Sequence, residues 1–175
     1  MSQISPVKEK PKFLHASIQL AFAFTLAAFL ASGYAWDMIA RAAVNILEAT
    51  GIQTSYVSKL FLMYVRLLDG SVVGFQILLE CSGLITLLIF AFISSLTIGL
   101  LRGSLKIKII WFLLSISVGF LWNLFRLVSV IAIAYSFGIP AFRFIHYILA
   151  PTIEFVWIIS AWALGMSLLK KEASS

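Results

Sequence analysis

The stretch "IKIIWFLLSISVGFLWNLFRLVSVIAIAYSF", residues 107–137, is apolar almost from end to end, and nothing in its interior apart from Asn123 and Arg126 resembles a boundary. As one continuous helix it would reach about 46 Å at 1.5 Å per residue, well beyond the roughly 30 Å of hydrocarbon in a bilayer. It therefore has to tilt, project or break, and Gly138 and Pro140 are expected to stop the helix. Counted upward from Lys108, Arg126 lies about 27 Å along such a helix, close to the far edge of the hydrocarbon.

The rest of the chain agrees with a membrane setting. Of its 175 residues 62% are hydrophobic and 11% charged, with a mean hydropathy of +1.05, whereas soluble domains are near half apolar and a quarter charged. The length suits one compact bundle, and no Pro- or Gly/Ser-rich linker divides it. The expectation is one membrane-embedded domain over residues 1–175, with a cytoplasmic lead (1–15), an outer segment (37–80) and a cytoplasmic tail (170–175). The net charge of +6 is dispersed in short clusters beside apolar runs. That is how orientation signals look, so no nucleic-acid partner is expected. The single cysteine, Cys81, excludes an internal disulfide.

Runs long enough to cross begin near Ala16 (to Trp36), Gly83 (to Leu101), Ile107 and Thr152 (to Leu169). With the N-terminus inside, Lys8, Lys10, Lys12, Arg102, Lys106, Lys108, Lys170 and Lys171 all become cytoplasmic, the bias of the positive-inside rule. Asp37, Arg41, Glu48, Lys59, Arg66, Asp69, Glu80, Arg126, Arg143 and Glu154 then fall on or near the outer side, balanced in sign. The first run is longer than the apolar core of a signal peptide and is expected to be retained. The sequence thus predicts an all-α integral membrane protein of about four to five transmembrane helices, with both termini cytoplasmic.

Between the first two spans, Asp37, Arg41, Asn45 and Glu48 share one helical face opposite Met38, Ile39, Ala42 and Ile46. A helix lying on the outer membrane surface is expected there. In "FLMYVRLLDGSVVGFQILLE", Asp69-Gly70 separates two β-favouring runs and predicts a hairpin. Trp36, Trp111, Trp157 and Trp162 read as interfacial anchors and packing residues.

This topology carries Cys81, at the mouth of the second span, Arg126, and His146, in "GIPAFRFIHYILAP", to one depth on the outer side. Taken singly, each has an ordinary explanation. A lone cysteine is commonly a small core hydrophobe, an arginine at that height can snorkel to headgroups, and a histidine there can be merely interfacial. Together, a thiol, an imidazole and a guanidinium supply nucleophile, proton carrier and anion stabiliser for acyl transfer through a thioester. Asn123, one turn before Arg126, can hold the guanidinium or another chain's backbone. Ser82 is a weaker nucleophile than the thiol beside it, and Glu80 would raise the thiol pKa. His15 lies at the inner end of the first span. With the histidines and the cysteine on opposite faces, no metal is expected, and no phosphate or dinucleotide loop is present, so no cofactor is expected.

"ECSGL" (80–84), "NLFRL" (123–127) and "FIHY" (144–147) resemble, in order and spacing, the signature of the exosortase/archaeosortase family of membrane transpeptidases. The resemblance covers roughly residues 75–150. It implies a cysteine protease/transpeptidase that cuts the C-terminal sorting signal of exported proteins (a short motif, one transmembrane helix and a basic tail). The new C-terminus would pass through a thioacyl intermediate to a lipid or other acceptor, at the outer face of the cell membrane. Cys81, Arg126 and His146 would be its catalytic residues. This chain is short for such a family and would be little more than the catalytic core. Two alternatives remain at this point: a non-enzymatic transport or assembly subunit, in which Arg126 pairs with Glu154 and Cys81 merely packs, and a membrane protease that hydrolyses without transfer.

Overall fold

The structure, a computed structural model, describes residues 11–78, 83–101 and 104–174. Its elements in chain order are α1 (Pro11–Ala31), α2 (Tyr34–Ala49), β1 (Thr54–Val57), β2 (Leu62–Arg66), β3 (Val72–Gln76), α3 (Leu84–Leu100), α4 (Leu105–Phe144) and α5 (Ala150–Ser174). Phe13–Ala31 and the stretch Leu105–Lys170 are long and apolar enough to cross a membrane, and Leu84–Leu100 is a shorter apolar helix. Large side chains such as Phe24, Leu114, Leu121, Phe125 and Phe155 are exposed on these helices, a surface suited to hydrocarbon and costly in water.

Helices α1 and α3 run antiparallel, with Ala16 against Gly99 at one end, Ala23 beside Ala91 midway, and Leu30 near Leu84 and Leu87 at the other. Small residues let the backbones approach: a Cβ on Gly99 would lie 2.8 Å from the Ala16 Cα. Where lipid is as apolar as leucine, such close packing rather than hydrophobic exclusion drives helix association.

The long apolar run breaks at Gly138, whose φ of 79° and ψ of −179° no helix contains. Helix resumes at once instead of stopping as the sequence suggested. Pro140 falls in the first turn of the new limb, where a missing N–H costs nothing. One wide π-type turn, Ile145–Leu149, leads into α5. The outer segment "GIPAFRFIHYILAP", beyond the expected stop, is therefore helical. Gly119 packs on Trp157 and Gly165 on Trp111, and each pair lies at equal chain distances either side of the break. That is the mark of an antiparallel helical hairpin. Trp111 and Trp157 thus act as packing residues, and the Trp162 indole donates to Thr97 on α3 at 2.8 Å.

The first helix ends at Ala31, short of the Trp36 expected, because Gly33 (φ 77°) turns the chain into α2. The inward stripe of α2 is Ala35, Ile39, Ala43 and Leu47, whereas Met38 and Ile46 remain exposed. The expected apolar face was rotated because α2 packs on protein, against β1 and α4, and not on lipid alone. The Asp69-Gly70 hairpin is present and joins β2 to β3. A further strand, β1, extends it to an antiparallel sheet of order β1-β2-β3. Met63, Val65, Phe75 and Ile77 turn inward onto Leu127, Ile131 and Ala134 of α4, so the cap made by α2 and the sheet sits on the upper part of that helix.

Asp37 ties this cap together. It accepts from Ser58 at 2.6 Å, from Tyr56 at 3.1 Å and from Arg41 at 2.6 Å. The Ser58 hydroxyl first, then Arg41, hold its carboxyl below the usual carboxylate range, while burial and Asp37 together push Tyr56 up to about 12. A depressed carboxyl stabilises the fold above its unfolded pKa and loses that contribution as pH falls through the folded one. Wild type should accordingly be more heat-stable than Asp37→Asn above about pH 4, with the gap closing on further acidification. Parallel melting curves in detergent across that range check this, and a gap independent of pH would contradict it.

Candidate active site

Arg126 stands on the inward side of α4, only 9% exposed, and its Nη1 lies 2.8 Å from Oε1 of Glu154 on α5. The second carboxylate oxygen of Glu154 accepts from the Thr86 hydroxyl on α3 at 2.8 Å. One turn before Arg126, the buried Asn123 donates its amide to the carbonyl of Gly83 at 3.1 Å. Three helices therefore meet in one polar knot at the N-terminal end of α3.

Gly83 is required by this geometry. Its φ is +69°, and a Cβ there would overlap the Asn123 amide and come within 2.8 Å of the Glu154 carboxylate. Glycine alone tolerates both the left-handed backbone and the close approach. Asn123 Oδ1 meanwhile accepts no hydrogen bond among the described residues.

His146 sits half-buried in the π-type turn, stacked on Phe142 with ring centroids 5.1 Å apart and edge-on to Tyr147 at 4.9 Å. Single wide turns of this kind recur at functional positions. The histidine lines an open groove of about 290 Å³ between β3 and α4, shared with Phe75, Leu127, Val130 and Arg143. Arg126 lines the neighbouring groove of about 190 Å³, with Trp122, Phe125, Val130 and Ile145. Val130 borders both, so the two residues flank one ridge. Arg126 pairs with Glu154, and His146 contacts Phe142 and Tyr147.

Cys81, Ser82 and Glu80 lie outside the described residues. Of the residues singled out in the sequence, the structure thus brings together Asn123 and Arg126, with His146 alongside. Glu154, Thr86 and Gly83 were missed as site residues. Glu154 had a legible signal, as an acidic residue beside the last apolar run, where an ionisable group marks a partner or a function.

A comparison of the whole chain with protein families matches residues 11–165 to the profile described as transmembrane exosortase. The chain belongs to the transmembrane exosortase family. The match takes in every described element of the exosortase from α1 into α5, including the knot and the turn that carries His146. Membership makes it a membrane protein and supports the protease or transferase class, exosortases being cysteine transpeptidases. No curated protein and no solved structure matches the chain.

The knot has a measurable energetic signature. Removing one partner of a buried ion pair costs about 3–5 kcal/mol, whereas replacing both by apolar groups is often neutral. Glu154→Ala should therefore lower the melting temperature of the exosortase sharply, and the pair Arg126→Met with Glu154→Met should recover most of it. Thermal unfolding of the three proteins in one detergent checks this, and equal loss in the single and double variants would contradict it.

Proposed function

We propose that this exosortase is a membrane cysteine transpeptidase that cleaves the C-terminal sorting signal of exported proteins and passes the new C-terminus to an acceptor. The observation that carries the reading is the knot, in which Asn123 and the Glu154-bound Arg126 gather at Gly83. Cys81 stands two residues before Gly83, so chain connectivity alone keeps the two Cα atoms within about 7 Å.

The Cys81 thiolate attacks the scissile carbonyl carbon, a C–S bond forms, and the tetrahedral oxyanion collapses to a thioester as the amine leaves. An acceptor nucleophile then attacks the thioester and releases the thiol. Arginine stays protonated throughout the accessible pH range, so it cannot carry the proton. It fits the role of thiolate or oxyanion stabiliser, held in place by Glu154. His146, whose unperturbed pKa is near neutrality, is suited to take the thiol proton and return it to the departing amine. A substrate anchored by its own helix in the same bilayer would present its outer juxtamembrane peptide at this depth, so attack becomes effectively intramolecular. With both termini cytoplasmic, the knot faces the outer side of the cell membrane, and α1, α3, α4 and α5 are the crossings.

The Arg126–Glu154 pair is also what a non-enzymatic subunit with a merely packed Cys81 would have. The two readings separate on Cys81→Ala, co-expressed with an exported protein ending in motif, apolar helix and basic tail. The variant should insert and melt like wild type yet lose processing by at least about a thousandfold. Normal processing by a stable variant would overturn the enzymatic reading. In the wild-type product, a C-terminal mass increased by an acceptor indicates transfer, and a free carboxylate indicates hydrolysis.

A further inference from the structure

The groove beside His146 is lined by Val73, Gly74, Phe75, Gln76 and Ile77 in unbroken succession. Consecutive residues of a strand point to opposite faces, so a groove touching all five runs along the edge of β3 and not across a face. Among the described residues that edge is open, since the sheet order is β1-β2-β3.

The register shows which backbone groups face the groove. Ile77 N–H donates to Phe61 at 2.8 Å and Leu67 N–H to Ser71 at 2.8 Å, while Leu62 stands opposite Gln76 and Arg66 opposite Val72. In an antiparallel pair, bonded and non-bonded positions alternate. Val73 and Phe75 thus spend their peptide groups on β2 and Ile77 its N–H on Phe61, leaving the N–H and C=O of Val72, Gly74 and Gln76 directed outward along the open edge, with Gly74 and Gln76 in the groove. Gly74, with no side chain, keeps the middle of that edge low. The opposite wall is apolar at Leu127, Val130 and Phe142 and carries Arg143, His146 and Tyr147 beside them.

Building on the transpeptidase reading, we propose that the substrate's extended peptide, the segment just outside its membrane helix, binds as a fourth strand along β3, between the sheet and α4. An acyl chain would fill the apolar wall but leave the alternating donors and acceptors of Val72, Gly74 and Gln76 unmatched. An extended peptide satisfies both, with main-chain bonds giving affinity and alternate side chains giving selectivity. The groove is also continuous with the reaction centre, because His146 lines it and β3 leads directly into the segment that carries Cys81. Side chains of the bound strand at every second position would face Phe75, Phe142 and His146, so selectivity would be read at alternate residues.

The test uses the full-length exosortase with Cys81→Ala, carrying either Val72→Cys or Gln76→Cys. Each is co-expressed with an exported protein that the wild type processes, scanned with single cysteines through its outer juxtamembrane segment and oxidised in the membrane. Strand addition predicts cross-links at every second substrate position, with the preferred position shifting by about four residues between the Val72 and Gln76 probes. Cross-links at a three-to-four-residue period, an even spread, or none would each overturn the proposal. Loss of processing by Cys81→Ala together with any of those patterns would leave the transpeptidase intact and sink strand addition alone.

Discussion

A charged pair buried between apolar helices constrains everything around it. Arg126 and Glu154 sit 2.8 Å apart on opposite limbs of one helical hairpin, and an ionised group buried among these helices costs several kcal/mol or more unless it is paired. The requirement to pair fixes how far the limbs slide relative to each other. Thr86, bound to the same carboxylate, adds α3 to the arrangement, and the start of α3 is where the chain emerges from the residues around Cys81. On the transpeptidase reading, stability and chemistry draw on the same guanidinium: the ion pair that makes a buried arginine tolerable is also what would aim it.

The opposite end of α3 is held in the same manner. Lys108, fully buried, donates to the carbonyls of Gly99 at 2.8 Å and Leu101 at 2.6 Å, and its ammonium lies 3.5 Å from His15. A cation is favoured at a helix C-terminus, where unpaired carbonyls collect partial negative charge. Helix α4 therefore clamps α3 at both ends, with Asn123 on its first carbonyl and Lys108 on its last. Between those clamps the contacts are small or apolar, as with Ala91 beside Phe112. Polar bonds set the register, and close packing fills the space between them.

The helices were legible in the sequence because a bilayer permits few alternatives: a long apolar run must pair its backbone internally, and helix is the simplest way. The hairpin was legible through Asp69-Gly70, whose left-handed Gly70 (φ 84°) the turn requires. What escaped were properties of partners. The inward stripe of α2 follows from its contact with the sheet and α4, and no periodicity within α2 names that neighbour. Strand β1 owes its conformation to pairing with β2, and its four residues are too few to carry a pattern of their own. Lys108 resembled any other inner-side charge, because its burial depends on where the end of α3 happens to lie. The Arg126–Glu154 pair was legible only as part of the non-enzymatic alternative, and its place beside Asn123 and Gly83 was not, since that arrangement needs the reversal at Gly138 to bring distant positions level.

That reversal also explains how so short a chain can form a site. A helix running straight through Gly138 would carry His146 away from Arg126 by about 30 Å at 1.5 Å per residue. Because the limbs fold back, the same residues border one ridge at Val130. The break lies between Arg126 and His146 and cannot be traded for flexibility, because Gly119 against Trp157 and Trp111 against Gly165 tolerate only one alignment of the limbs. On the transpeptidase reading, the bilayer contributes the remaining order by holding the substrate helix upright beside the hairpin. The protein then has only to present a cation, a proton carrier and an open strand edge at the level where the substrate leaves the hydrocarbon.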